Sequence, residues 1–108
     1  MEQLTVRDAH AALERAGETY VKLLARPGLD VALYKPDQID LQTPHLRDEI
    51  YVIASGTGHF VQGDESRPVA PGDLFFVPKG AEHRFVDFTA DFSTWVIFLG
   101  EVPERQAR

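Results

Sequence analysis

The chain has 108 residues, enough for one domain with a single core and too few for two. Hydrophobic residues make up 44% and charged residues 26%, which excludes general disorder. With 17 acidic against 11 basic residues the net charge is -6, a balance that argues against a surface tracking nucleic-acid phosphates.

Cysteine is absent, which removes disulfides, thiolate metal sites and cysteine nucleophiles. Met1-Glu2-Gln3-Leu4 leads into Arg7 and Asp8 with no apolar stretch of signal-peptide length behind it. No run approaches the roughly 18 to 20 apolar residues that a membrane span requires. The expectation is a cytoplasmic protein with neither a membrane nor a nucleic-acid partner.

Thr5, followed three residues later by Asp8, resembles a helix start, and Val6, Ala9, Ala12, Leu13 and Ala16 recur at helical spacing up to Gly17. Residues 1–17 are therefore read as a helical segment. The pattern then changes. Residues 20–24 and 29–34 are short and apolar, bounded by Pro27-Gly28 and Pro36, and read as strands. Ile39, Leu41, Thr43 and His45 share one parity and Asp40 and Gln42 the other, predicting a further strand whose apolar face ends in His45.

Residues 49–54 and 58–62 flank Ser55-Gly56-Thr57, and turns follow at Gly63-Asp64-Glu65 and around Pro71-Gly72-Asp73. Residues 74–77, 83–88 and 93–99 complete roughly eight or nine short strands, an antiparallel sandwich or small barrel spanning residues 18–101. Residues 102–108 read as a polar tail.

Chemistry concentrates at Thr43-Pro44-His45-Leu46-Arg47-Asp48-Glu49. On one straight strand His45 and Glu49 would stand roughly 13 Å apart, too far to share an ion. Pro44 suits a strand end and Arg47-Asp48 a reversal, so a tight turn is expected over residues 46–48, with His45 and Glu49 facing each other across it. Glu49 shares its parity with Tyr51 and Ile53, so it points inward and needs a partner. Tyr51 beside it is a candidate acid, base or anchor for an anionic substrate. His59 is expected to face solvent and His10 to serve a surface or interface role. Ser55 and Ser93 show no partner that would make them nucleophiles.

A second stretch, residues 72–87, runs Gly72, five residues, Pro78, one residue, Gly80, two residues, His83, three residues, Asp87. This resembles the second motif of the cupin family, with Asp87 where the family has Asn. The family's first motif runs His, one residue, His, three or four residues, Glu, six residues, Gly. His45, Glu49 and Gly56 match it, and Thr43 stands in place of its first histidine. The resemblance covers about residues 29–99.

The resemblance implies an all-β double-stranded β-helix barrel, jelly-roll-like, preceded by the short helix and holding one divalent metal. The matching ligand positions are His45, Glu49 and His83. Two imidazoles and a carboxylate suit Fe, Mn, Ni, Cu or Zn. Gln42 could bring in its amide oxygen if the register shifts, although plain alternation points it outward. The expected function is a metal-dependent enzyme, dioxygenase- or isomerase-like, acting on a small molecule, with Tyr51 in a catalytic role. The alternatives are a non-catalytic module that binds or senses a small molecule and a structural dimer. A homodimer is expected through an outer sheet face, with residues 20–24 and 29–34 covering one another.

Overall fold

The computed structural model describes residues 1–101; the expected tail at 102–108 lies outside them. Helix α1 spans Val6–Ala16. The Thr5 side chain caps it by accepting the Asp8 N–H at 3.0 Å. Gly17 ends it at φ 66, donating its N–H to the Leu13 and Glu14 carbonyls. Ala9 and Leu13, one turn apart, are buried, and α1 packs on strands β1 (Tyr20–Arg26) and β2 (Leu29–Tyr34). These two strands are thus partly covered from within the chain.

The remaining strands are β3 (Asp48–Ser55), β4 (Gly58–Gln62), β5 (Glu65–Val69), β6 (Leu74–Val77), β7 (His83–Val86) and β8 (Ser93–Leu99). They form an antiparallel five-stranded sheet in the order β1-β2-β8-β3-β6 and a three-stranded sheet in the order β5-β4-β7. The order is non-sequential because β8 returns to lie between β2 and β3, as a double-stranded β-helix requires, although the sheets are not closed into a barrel. The inner faces carry Tyr51, Ile53, Phe60, Val77, Phe85, Phe92, Val96 and Phe98. Tyr51 meets Phe85 edge-on at 4.9 Å and Phe60 at 5.7 Å.

One expected strand is not there. Residues 40–45 form no strand, and the predicted parity is reversed over 39–43, with Ile39 and Leu41 63% and 77% exposed and Asp40 buried, while His45 points inward as expected. Hydrogen bonds to the Asp40 carboxylate outweigh the hydrophobic pattern. Its Oδ1 accepts from the Tyr34 hydroxyl at 2.7 Å and the Gln42 N–H at 3.2 Å. Its Oδ2 accepts from Gln42 Nε2 and the Phe85 N–H, both at 2.8 Å. A carboxylate so supplied with donors can be buried at little cost, and it pins the segment to β2 and β7. The strand expected over 83–88 ends at Val86, because Asp87 turns the chain at φ 50, a conformation that Asn and Asp tolerate best among residues with a Cβ.

Candidate metal centre

Glu49 lies on β3, paired with Val77 of β6 and Phe98 of β8. Strand alternation points it, Tyr51 and Ile53 into the core, as the sequence predicts. His83 opens β7 in the opposite sheet, paired with Gln62 of β4, so the two motifs meet across the sandwich. His45 precedes β3, and the chain bends at Leu46 and Arg47. The expected turn therefore exists, but only its Glu49 side is a strand. The Pro78-Lys79-Gly80 turn holds the segment: Gly80 donates its N–H to the His45 carbonyl at 2.7 Å, and Lys79 donates to Asp48 Oδ1 at 3.0 Å.

One donor atom from each of His45, Glu49 and His83 lies within 4.8 Å of the others. His83 Nε2 is 3.3 Å from Glu49 Oε1 and His45 Nε2 is 3.9 Å from it. Glu49 is 1% exposed, yet neither carboxylate oxygen accepts an aligned hydrogen bond. Buried carboxylate oxygens left so are costly unless a cation neutralises them. His83 Nδ1 stands 2.9 Å from the Ala81 carbonyl, which can only accept, so Nδ1 carries the hydrogen. In the neutral ring this leaves the Nε2 lone pair facing Glu49 and Tyr51, the tautomer a metal ligand needs. The orphaned carboxylate and this tautomer fit a divalent cation.

Burial by itself would lower the His83 pKa, but Glu49 and the Ala81 carbonyl outweigh it and hold the group above its ordinary value. Burial and the Glu49 charge push the Tyr51 phenol well up, so it keeps its proton. The Tyr51 hydroxyl donates to Gln42 Oε1 at 2.8 Å and lies 3.0 Å from His83 Nε2. Gln42 Oε1 is also 3.3 Å from His45 Nε2. Contrary to plain alternation, then, Gln42 faces the cluster, while Thr43 and Pro44 are both exposed. Two successive residues outside shift the parity, so that Gln42 and His45 share the inner side.

His45, Glu49 and Gln42 open onto a cavity of about 390 Å³ whose wall includes Tyr20, Tyr34, Leu41 and Phe98. The sequence reading missed Asp40 and Tyr34 here, and no local signal separates a buried Asp from a loop Asp. It read Arg47 as part of a polar reversal, and the chain does bend there. Arg47 is buried, with Nη1 2.9 Å from Asp30 Oδ2 and the guanidinium 4.5 Å from the Phe98 ring centre. His59 is exposed, as expected. His10 is half-buried, its Nε2 2.8 Å from Ser93 Oγ, which in turn is 2.6 Å from Ser55 Oγ. With Ser93 fully buried, this trio ties α1 to β8 and β3.

Two facing antiparallel sheets and a histidine–carboxylate cluster contributed by both define a small double-stranded β-helix domain with a possible metal site. Residues 31–96 match the family model described as Cupin domain. The chain belongs to the cupin family. It is 35% identical over 89 residues to an uncharacterised protein of Streptomyces coelicolor, covering 79% of this chain and 85% of that one. Among solved structures, KdgF from a Halomonas species is similar with a TM-score of 0.66 at 25% identity, covering 76% of this chain and 79% of that one. A protein from Neisseria meningitidis is similar with a TM-score of 0.71 at 22% identity, covering 92% of this chain and 100% of that one. Among the described residues no helix is long and apolar enough to cross a membrane.

Proposed function

We propose that this cupin is a metal-dependent enzyme that binds a small molecule in the cavity beside His45 and Glu49 and activates it, by isomerase- or dioxygenase-like chemistry. The observation that carries the reading is Glu49, a buried carboxylate with both oxygens unsatisfied between two imidazoles. His45, Glu49 and His83 would hold one divalent ion. Bound there, the ion would supply Lewis-acid polarisation of a substrate oxygen and positions open to water or dioxygen.

The chain's own residues do the rest. Leu41, Tyr20, Tyr34 and Phe98 offer apolar and aromatic wall to the body of the ligand, while the cluster takes its polar end. Tyr51 holds the Gln42 amide in place as a hydrogen-bond donor and does not act as a base, because its phenol stays protonated. Elemental analysis of protein purified without added metal tests the reading. One equivalent of a transition metal, lost in His45→Ala, is expected; wild-type protein free of metal, or a His45→Ala protein that keeps it, would sink it.

A second reading, a non-catalytic module that binds or senses the same class of molecule, is favoured by the complete burial of Tyr51, which leaves the expected acid–base residue without access to the cavity's ligand. A ligand that raises the melting temperature of the metal-loaded protein and is recovered unchanged would decide for it.

For assembly, we place a homodimer contact on the outer face of the larger sheet. Leu74 and Phe76 of edge strand β6 are 62% and 54% exposed beside Val52 and Ile50, with Trp95 and Ile97 of β8 on the same face. A sedimentation measurement giving only monomer at micromolar concentration would remove this contact.

A further inference from the structure

Thr43 stands where the family's first motif has a histidine, and it faces solvent. The inward place beside it belongs to Gln42. The orientation of the Gln42 amide is not free. Asp40 already receives the Tyr34 hydroxyl and the Phe85 N–H, and as an acceptor it can face only the amide nitrogen, with Nε2 at 2.8 Å. The amide oxygen is thereby turned toward His45 and Tyr51.

Five donor atoms close a ring. Gln42 Oε1 is 3.3 Å from His45 Nε2, which is 3.9 Å from Glu49 Oε1. Glu49 Oε1 is 3.3 Å from His83 Nε2, which is 3.0 Å from the Tyr51 hydroxyl. That hydroxyl returns to Gln42 Oε1 at 2.8 Å. Ligands about 2.0–2.2 Å from one ion stand roughly 2.8–3.6 Å from each other in tetrahedral or octahedral arrangements. The edge from Gln42 Oε1 to His45 Nε2, at 3.3 Å, falls in that window, while the 2.8 Å edge to Tyr51 is the hydrogen bond that the amide oxygen accepts. Once the His45 Nε2 lone pair is turned to an ion, Nε2 and Oε1 are two acceptors in contact, an arrangement that a shared cation stabilises.

We propose that Gln42 Oε1 is the fourth protein ligand of the metal, in the role of the missing histidine, and that Asp40 is the positioning residue that aims it. The proposal rests on the metal centre argued above. It gives this chain a ligand set of two nitrogens and two oxygens, harder than three imidazoles and a carboxylate.

Cobalt(II) titration of chelator-stripped protein tests it, reading the dissociation constant and the visible ligand-field bands, with melting curves of each stripped variant alongside. Gln42→Met is expected to weaken cobalt binding about tenfold or more and to shift the bands. Gln42→His is expected to bind at least as tightly as wild type with bands moved by the added nitrogen, and Asp40→Asn to fall between. If Gln42→Met melts well below wild type without metal, the Gln42→His spectrum decides, because a side chain outside the coordination sphere leaves the bands unmoved. Wild type that binds cobalt with constant and bands unchanged in Gln42→Met and Gln42→His overturns the proposal and leaves the metal centre standing. Wild type that takes no cobalt removes the metal centre itself.

Discussion

Gly80 donates its backbone N–H to the carbonyl of His45 at 2.7 Å, and so the turn of the second cupin motif holds the first motif's histidine in place. Gly80 sits at φ 81, and a Cβ added there would meet nothing within 4 Å. Gly80→Ala should therefore cost only the backbone term, about 1–2 kcal/mol. A fall in melting temperature with a parallel weakening of metal binding is expected. An unchanged affinity would show that His45 does not depend on this bond.

Gly56, which closes the first motif, presents the other case. Its φ is 74, and a Cβ would lie 2.5 Å from Phe92 Cα and 2.6 Å from Thr89 Oγ1. Backbone that tight cannot give way like a side-chain tip, so Gly56→Ala combines strain with a clash and should cost more than about 3 kcal/mol. Urea unfolding of the two glycine variants side by side checks the ranking. Equal losses would contradict it.

The difference between these glycines is invisible in the sequence, where both are turn residues at motif spacing. What was legible followed from regular alternation: the inward set Glu49, Tyr51 and Ile53 holds because β3 is a strand with one face on the core. The capped helix ending at Gly17 was legible for the same kind of reason, a local pattern with a local cause. At residues 40–45 the pattern misled. Asp40 is bonded to Tyr34 and to the Phe85 N–H, the latter 45 positions along the chain, and hydrophobic parity carries no record of such bonds. The cost of leaving Ile39 and Leu41 exposed is met by that carboxylate, and the reversal is what brings Gln42 into the site.

Asp30 gives the pH dependence. Burial opposes its ionisation, but the hydrogen bond from Arg47 and the charges of Lys22 and Arg47 outweigh burial and hold the carboxyl below its ordinary value. A depressed carboxylate contributes stability that is complete above its unfolded value and lost as pH falls through the folded one. Asp30→Asn should thus be less stable than wild type by about 3 kcal/mol above about pH 5, since Arg47 is left buried beside a neutral group. The gap should narrow below about pH 4 as wild-type Asp30 is protonated. Urea midpoints of both proteins from acid to neutral pH test this; a gap that stays constant throughout would mean that the pair adds no pH-dependent stability.

Glu49 sets stability against function. Without a cation its two oxygens are buried and accept no aligned hydrogen bond, and at a pH where His83 is neutral no proton compensates the charge. Glu49→Gln keeps the shape and removes the charge, so the metal-free variant should be more stable than metal-free wild type by about 1–2 kcal/mol. That corresponds to a rise of roughly 5–10 °C in melting temperature for a domain of this size. The order should reverse on adding metal. Wild type gains stability in proportion to the logarithm of ion concentration over the dissociation constant, about 2.7 kcal/mol at a hundredfold excess, whereas the variant, lacking the anionic ligand, should gain little. Paired melting curves with chelator and with excess zinc or cobalt read both halves at once. A Glu49→Gln protein that melts below wild type in chelator would mean that the carboxylate is stabilised without an ion, and the case for a metal at this cluster would lose its main support.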